Sequence, residues 1–383
     1  MFSQVLKLIP RIEFERIVRE TGSEYRSKGL SSWAQFVGMM FCQFGRAHSL
    51  REIEGGMMSC EGKLSHLGIE APKRSSLSYA NGHRPTELFE KLFYALHTKV
   101  ASKFTGKRKF RFKNKLVSLD STTIDLCLSM YDWAKFTRTK GAVKLHLVLD
   151  HDGYLPKFAV ITDGKVHDVT VAQQMSFEPG TIVVEDRGYT DYQLYGEWSA
   201  TGVYFVSRLR SNARYEVLEE REIPAHQRHR ILKDQIIGLN LQYGYFKCPY
   251  ELRRVQVLVE ETGEVLEFLT NHLRLAASTI ADIYKDRWQI ETFFKALKQN
   301  LKIKTFVGTS PNAVKTQIWT ALIAMLLYRY LQISSSFGWS LSNLVALLRM
   351  NLFTHRDLMA WLNKPFAPPP DPDAHPQMPL KFA

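Results

Sequence analysis

Two apolar runs joined by Asp152-Gly153 constrain this chain more than any other feature. The stretch VKLHLVLDHDGYLPKFAVITDG, 143–164, alternates or runs apolar on both sides of an Asp-Gly pair. That pair favours the positive backbone angles of a tight hairpin turn. KLVSLDSTTIDL, 115–126, is a third β run just upstream. Two further short strands are expected, one in TIVVEDRGY at 181–189 and one in VYFVSRL at 203–209. Helical segments lie between them, one near 169–176. Three antiparallel strands followed by alternating helices and strands predict a mixed sheet covered by helices, an α/β fold.

Helical periodicity dominates on either side. Residues 1–102 read as short capped helices, with Ser32 opening one, the Ser49/Glu52 pair forming a capping box, and Pro85-Thr86 opening another. Such a region suits a helical DNA-binding domain and equally any small helical domain. Residues 103–115 form a basic linker in which seven of thirteen are Lys or Arg. It reads either as a solvated connector or as a phosphate-tracking strand. Residues 116–310 form a strand-rich domain, interrupted at about 211–275 by a β-rich insertion whose hairpin turns at Thr262-Gly263. A long helix is expected from Ser278 to Leu301. A helical region, 311–364, and a tail, 365–383, with seven prolines complete the chain.

Charge narrows the partners. Against 38 acidic residues stand 51 Lys and Arg, a net charge of +13, which favours polyanions: nucleic acid first, an anionic membrane surface second. The four cysteines form no C-x-x-C pair, which argues against a zinc knuckle. Lys7, Arg11 and Glu13 interrupt the apolar start, so no signal peptide is expected, and the apolar run at 320–328 is too short for a bilayer. The protein is expected in the cytoplasm with access to the chromosome, and not in a membrane.

Three acids occupy positions where chemistry can happen. Asp120 and Asp186 each end a predicted strand, where a rigid backbone presents carboxylates that can cage hard cations. Such acids also serve as plain strand-end caps. The helix separates the two readings. Tyr284, Arg287, Glu291 and Lys298 fall within about 60° of one another on a helical wheel, beside the apolar stripe of Ile283, Ile290, Phe294, Leu297 and Leu301. A hydroxyl, two cations and a carboxylate on one arc suit a metal-bound phosphodiester, although Arg287 and Glu291 could merely pair with each other. Glu185 should point away from Asp186 across the pleat, and Asp125 is a weaker rival to Asp120. His167-Asp168 is expected to cap a helix, and His226 and His229 to sit in a basic surface loop.

The pattern Tyr284-x2-Arg287-x3-Glu291-x6-Lys298, following LDSTT at Asp120 and DRGY at Asp186, resembles the Y-R-E-K signature of IS4-family DDE transposases. Four matches at fixed spacing arise by chance on the order of once in 10^5 starting positions. The leading region, with SLREIEGGM and LSYAN, is similar to that family as well, so the resemblance spans about residues 2–335. It implies an RNase H-like catalytic domain with a β-rich insertion between Asp186 and Glu291. It implies catalysis and metal binding by Asp120, Asp186 and Glu291, through two Mg2+ ions (or Mn2+) that cut DNA and join its 3′ ends. Tyr284, Arg287 and Lys298 would grip DNA at the transposon end. The partners implied are terminal inverted repeats, target DNA and a second copy of the chain, in a bacterial cytoplasm at the nucleoid. A metal-dependent nuclease without strand transfer and a DNA-binding transposition inhibitor are the competing readings. Members with a hairpin step use an insertion-domain Trp. This chain has none between Trp198 and Trp288, and Tyr243, Tyr245, Phe246 and Tyr250 are the aromatic substitutes available.

Overall fold

A computed structural model describes all residues except 28, 61, 105–108, 138–139, 240–245 and 368–383. The tail from 368 onward, part of the basic linker, and Tyr243 and Tyr245 therefore lie outside the described residues. Strands β1 (Leu116–Leu126), β2 (Gly141–Asp150) and β3 (Leu155–Asp163) pair antiparallel in sequence. The β2–β3 turn is the expected Asp-Gly turn. Gly153 adopts φ +93, and a Cβ there would fall on the Phe104 ring, so glycine is required twice over.

β4 (Ile182–Glu185) and β5 (Tyr204–Arg208) run parallel to β1 on its other side. The resulting order, β3-β2-β1-β4-β5, with three antiparallel strands and then two parallel ones, is the RNase H-like arrangement. The insertion contributes β6 (Tyr215–Glu220), β7 (Ile231–Leu239), β8 (Leu252–Val259) and β9 (Glu264–Thr270). Instead of forming a separate sheet, it extends the first one to nine strands, because β9 pairs antiparallel with β5. The β8–β9 hairpin turns through Gly263 at φ +70, as the Thr-Gly pair predicts.

Strand pleating sorts the side chains onto two faces. On β1 and β4, Val117, Leu119 and Val183 pack beneath helix α8, numbered in chain order and spanning Tyr192–Ala200; the shorter α7 is Asp168–Ala172. Leu116, Ile182 and Val184 face the opposite way, toward α9 (Ala277–Asp286). The single helix expected from Ser278 to Leu301 is in fact two. α9 ends at Asp286, Arg287 is the junction, and α10 spans Trp288–Asn300. Around the junction the backbone bonds tighten to three-residue spacing, Arg287 N–H to Tyr284 and Ile290 N–H to Arg287.

The helices at the two ends of the chain share one core. α1 (Phe2–Leu6), α2 (Arg11–Thr21), α3 (Ser32–Gly45), α4 (Leu50–Met58), α5 (Arg74–His83) and α6 (Glu87–Ala101) pack with α11 (Pro311–Ser334), α12 (Leu341–Met350) and α13 (Leu358–Asn363). Buried on every side from Thr316 to Tyr328, α11 is a central rod. Phe44 meets Tyr328 at 4.9 Å, and Phe93 meets Trp319 at 5.5 Å, between ring centroids. Ser31, not Ser32, caps α3, its hydroxyl accepting from Ala34 N–H. Ser49 accepts from Glu52 N–H as expected, while the Glu52 carboxylate reaches one residue further back, to His48 N–H. Among the described residues no helix is long and apolar enough to cross a membrane.

Candidate active site

Asp120 is not at a strand end. β1 continues past it to Leu126 on the β2 side, with Asp120 opposite Leu147. Its pairing with β4, however, stops at Leu119–Glu185. The carboxylate therefore stands where the neighbouring parallel strand has just ended, next to Asp186, the first residue after β4. Both acids lie on the α9–α10 face of the sheet, by the same pleat that directs Glu185 the other way. Glu185 is fully buried beneath α8 and accepts a 2.5 Å hydrogen bond from the Tyr195 hydroxyl.

The α9–α10 junction supplies the remaining groups. Arg287, 9% exposed, donates to Glu291 Oε1 at 2.8 Å and lies 3.5 Å from Asp120 Oδ2. The Tyr284 hydroxyl is 3.5 Å from Asp186 Oδ1, and Lys298 Nζ donates to the Thr123 carbonyl at 2.8 Å. All six side chains singled out in the sequence thus border one region, although the junction bends the arc that a straight helix would present. Burial pushes the Asp120 carboxyl up to about 6, with the charges of Glu291 and Asp186 adding to it. Ser121 N–H and Arg287 act in the opposite direction. Among the described residues no three His, Cys, Asp or Glu side chains are close enough together to hold a metal ion. Arg287 stands between Asp120 and Glu291 and balances their charge.

Two cavities flank these groups. One, of about 470 Å3, is bordered by Asp120, Thr122 and Glu291 and by the cations Lys295, Lys298 and Lys304. The other, of about 610 Å3, lies between α9 and the insertion strands, with Tyr284, Phe268, Arg230, Lys285 and Trp288 among its lining. Trp288 is 61% exposed, an apolar surface beside the junction that the helical pattern alone did not mark as special. On the insertion, Phe246 and Tyr250 are both exposed.

The structure corrects the reading of Asp168. It opens α7 but makes no capping bond, and neither does His167. Its carboxylate instead accepts from Ser121 Oγ at 2.7 Å and Lys144 Nζ at 3.3 Å, placing a fourth acid one residue from Asp120 along β1. His146 lies 3.5 Å from the same oxygen, and burial lowers it to about 4, so it stays neutral at physiological pH. Asp125 is exposed, and His226 and His229 sit exposed around a short turn after β6, as expected.

Glu185 carries a stability prediction. Burial pushes its carboxyl from 4.5 up to about 8, with Tyr195 opposing and Asp186 and Asp191 adding. A carboxyl raised in the folded state contributes stability that is fully present below its unfolded value and lost as pH rises through the folded one. From pH 6.5 to 8, where Asp120 is already mostly ionised, Glu185 should account for a loss on the order of 2 kcal/mol. Glu185→Gln should flatten that loss in a melting series against pH. Identical slopes for the two proteins would contradict it.

An RNase H-like sheet that sets Asp120 beside the end of β4 and Asp186, with Glu291 on the facing helix and a lysine-lined groove alongside, suits an enzyme acting on nucleic-acid strands. Residues 111–327 match the transposase DDE domain, and residues 1–70 match a domain of unknown function. The chain belongs to the DDE transposase family. It is 32% identical over 307 residues, 79% of this chain and 83% of the relative, to a protein named as a transposase in Sinorhizobium fredii. It is 31% identical over 232 residues, 59% of each chain, to the protein named as the transposase for insertion sequence element IS5377 of Geobacillus stearothermophilus. The transposase for insertion sequence element IS4 of Escherichia coli is 26% identical over 201 residues, 49% of this chain and 43% of the relative. These relatives support membership of the IS4 group.

Proposed function

We propose that this insertion-sequence transposase excises its element by cutting at terminal inverted repeats and joining the freed 3′-hydroxyls to target DNA. In this reading Asp120, Asp186 and Glu291 hold two Mg2+ or Mn2+ ions. The donor set fits hard cations: three carboxylates, with Asp120 raised by burial and then by the charges of Glu291 and Asp186, and countered by Arg287. When bound, the ions would activate the attacking water or hydroxyl and stabilise the leaving oxygen of the phosphodiester. In the free protein Arg287 supplies the positive charge that the ions supply in the loaded one, and it is then available to a DNA phosphate. Lys298, with Lys295 and Lys304, tracks the backbone along the groove. Tyr284 orients Asp186. The exposed Trp288 indole offers a stacking face for an unpaired base beside the cut.

The observation that carries this reading is that Asp120 and Glu291, 171 positions apart in the chain, meet on one guanidinium. Incubation with Mg2+ and a duplex bearing the element's ends should yield 3′-hydroxyl termini, then joined products. Cleavage without joining would leave a nuclease. Binding without cleavage would leave a DNA-binding inhibitor. The synapsis of two ends implies a dimer on DNA, acting at the nucleoid in the bacterial cytoplasm. Lys298→Ala should weaken end binding and lower the slope of log affinity against log salt by about 1. An unchanged slope would remove Lys298 from the phosphate contacts.

A further inference from the structure

Behind the carboxylates lies a second, wholly buried polar array. His151 Nε2 is 2.6 Å from Ser118 Oγ, and His151 Nδ1 is 2.6 Å from Asp286 Oδ2. With Nδ1 donating to the carboxylate, Nε2 accepts from the serine hydroxyl. The order Ser-His-Asp matches a hydrolase triad, but Ser118 is 0% exposed, so no substrate carbonyl reaches its oxygen. The connectivity points to a different role.

Asp286 is the last residue of α9, directly before Arg287 and five before Glu291. Ser118 lies on β1, two residues before Asp120 and on the same face, and His151 directly follows β2. Asp286 is 2% exposed, and it also receives the Tyr154 hydroxyl at 3.1 Å and Lys109 Nζ at 2.5 Å. Burial alone would raise its carboxyl, but the bonds from His151 and Lys109 bring it below the ordinary range. A charged, multiply bonded anchor thus fastens the helix junction to β1 and to the β2–β3 turn. Five residues of helix span about 7.5 Å, so a tilt of about 10° at the junction would move Glu291 by roughly 1.3 Å. Displacements of about 1 Å are enough to cost a reaction about 100-fold.

We propose that Asp286 and His151 are positioning residues for the reaction, locking the α9–α10 junction so that Arg287 and Glu291 meet Asp120. The proposal rests on the reading that Asp120, Asp186 and Glu291 hold the metal. Its test is Mn2+ binding to the full-length, DNA-free protein, followed by paramagnetic resonance, alongside steady-state cleavage. Asp286→Asn and His151→Gln should weaken Mn2+ binding about 10- to 100-fold, the range found for groups that orient ligands. They should lower kcat comparably while KM for end DNA stays within about threefold. A merely structural role would lower the melting temperature and leave the Mn2+ affinity of the folded protein untouched, which would overturn the proposal. Should either variant fail to fold, Tyr154→Phe removes a single hydroxyl bond and decides alone. A severalfold weaker Mn2+ affinity supports the anchor, and an unchanged one overturns it. Glu291→Gln separates the two levels. If it leaves Mn2+ binding intact, the reading of the site fails. If it abolishes binding while the anchor variants do not, only the anchor fails.

Discussion

Replacing Asp120 or Asp186 with Asn, or Glu291 with Gln, is expected to lower DNA cleavage by at least about 10^3-fold while leaving end binding within a few-fold. Each change keeps the shape and, on the proposed reading of the site, removes one anionic metal ligand. Stabilisation of developing charge at a metal-assisted phosphoryl transfer amounts to several kcal/mol, and each 1.36 kcal/mol is tenfold. Lysines of the adjoining groove, which the changes do not touch, are available to the DNA backbone. Asp120→Asn carries a second expectation. Its carboxyl is pushed up to about 6 by burial and by neighbouring acids. A charge so destabilised at pH 7 costs folding energy, so the metal-free variant should melt higher than the parent, an exchange of activity for stability. Parallel cleavage, gel-shift and melting assays check all three. Full cleavage by any one variant removes that residue from the site.

Asp234→Ala is expected to destabilise the protein by about 3–5 kcal/mol, the cost of stranding a buried charge. Asp234 on β7 pairs bidentately with Arg253 on β8, at 2.7 Å to Nε and 2.6 Å to the terminal nitrogen, and Arg253 is 2% exposed. Arg253 also donates to the Leu275 carbonyl at 2.5 Å, just ahead of α9. Removing the carboxylate leaves a guanidinium in the sheet interior with carbonyl partners only. The urea midpoint should fall accordingly, and Asp234→Asn should lose less by keeping a hydrogen bond to the guanidinium. A loss below about 1 kcal/mol for the alanine variant would show that water or a neighbouring group has taken over the charge. Because the same arginine braces the entry to α9, the variant should also lose activity beyond its loss of folded protein.

The parts of this architecture legible in the sequence are those set by local periodicity. The Asp152-Gly153 hairpin, the Thr262-Gly263 hairpin and the buried run of β4 each follow from a few consecutive residues. Asp186 after its strand and the Glu185 side chain facing the other way follow from a two-residue period. What was not legible depends on neighbours in space. Asp120 matters because β4 ends beside it, which the pattern of β1 alone cannot reveal. The break at Arg287 has no Gly or Pro to mark it, and arises where the chain turns from the α9 core toward the shared helical core. Asp168 exchanged its expected capping bond for Ser121, 47 positions upstream. Ser118, His151 and Asp286 are ordinary residues until the fold brings them together. The helices of residues 1–102 were legible one by one, but their packing on α11 was not, since that contact spans more than 200 positions.

Anomalous diffraction from Mn2+ bound to the full-length protein on an end-bearing duplex tests the central claim most directly. Manganese peaks within coordination distance of the carboxylates of Asp120, Asp186 and Glu291 are the predicted result. Manganese held elsewhere, with Arg287 still seated between Asp120 and Glu291 and DNA in the groove, would contradict it.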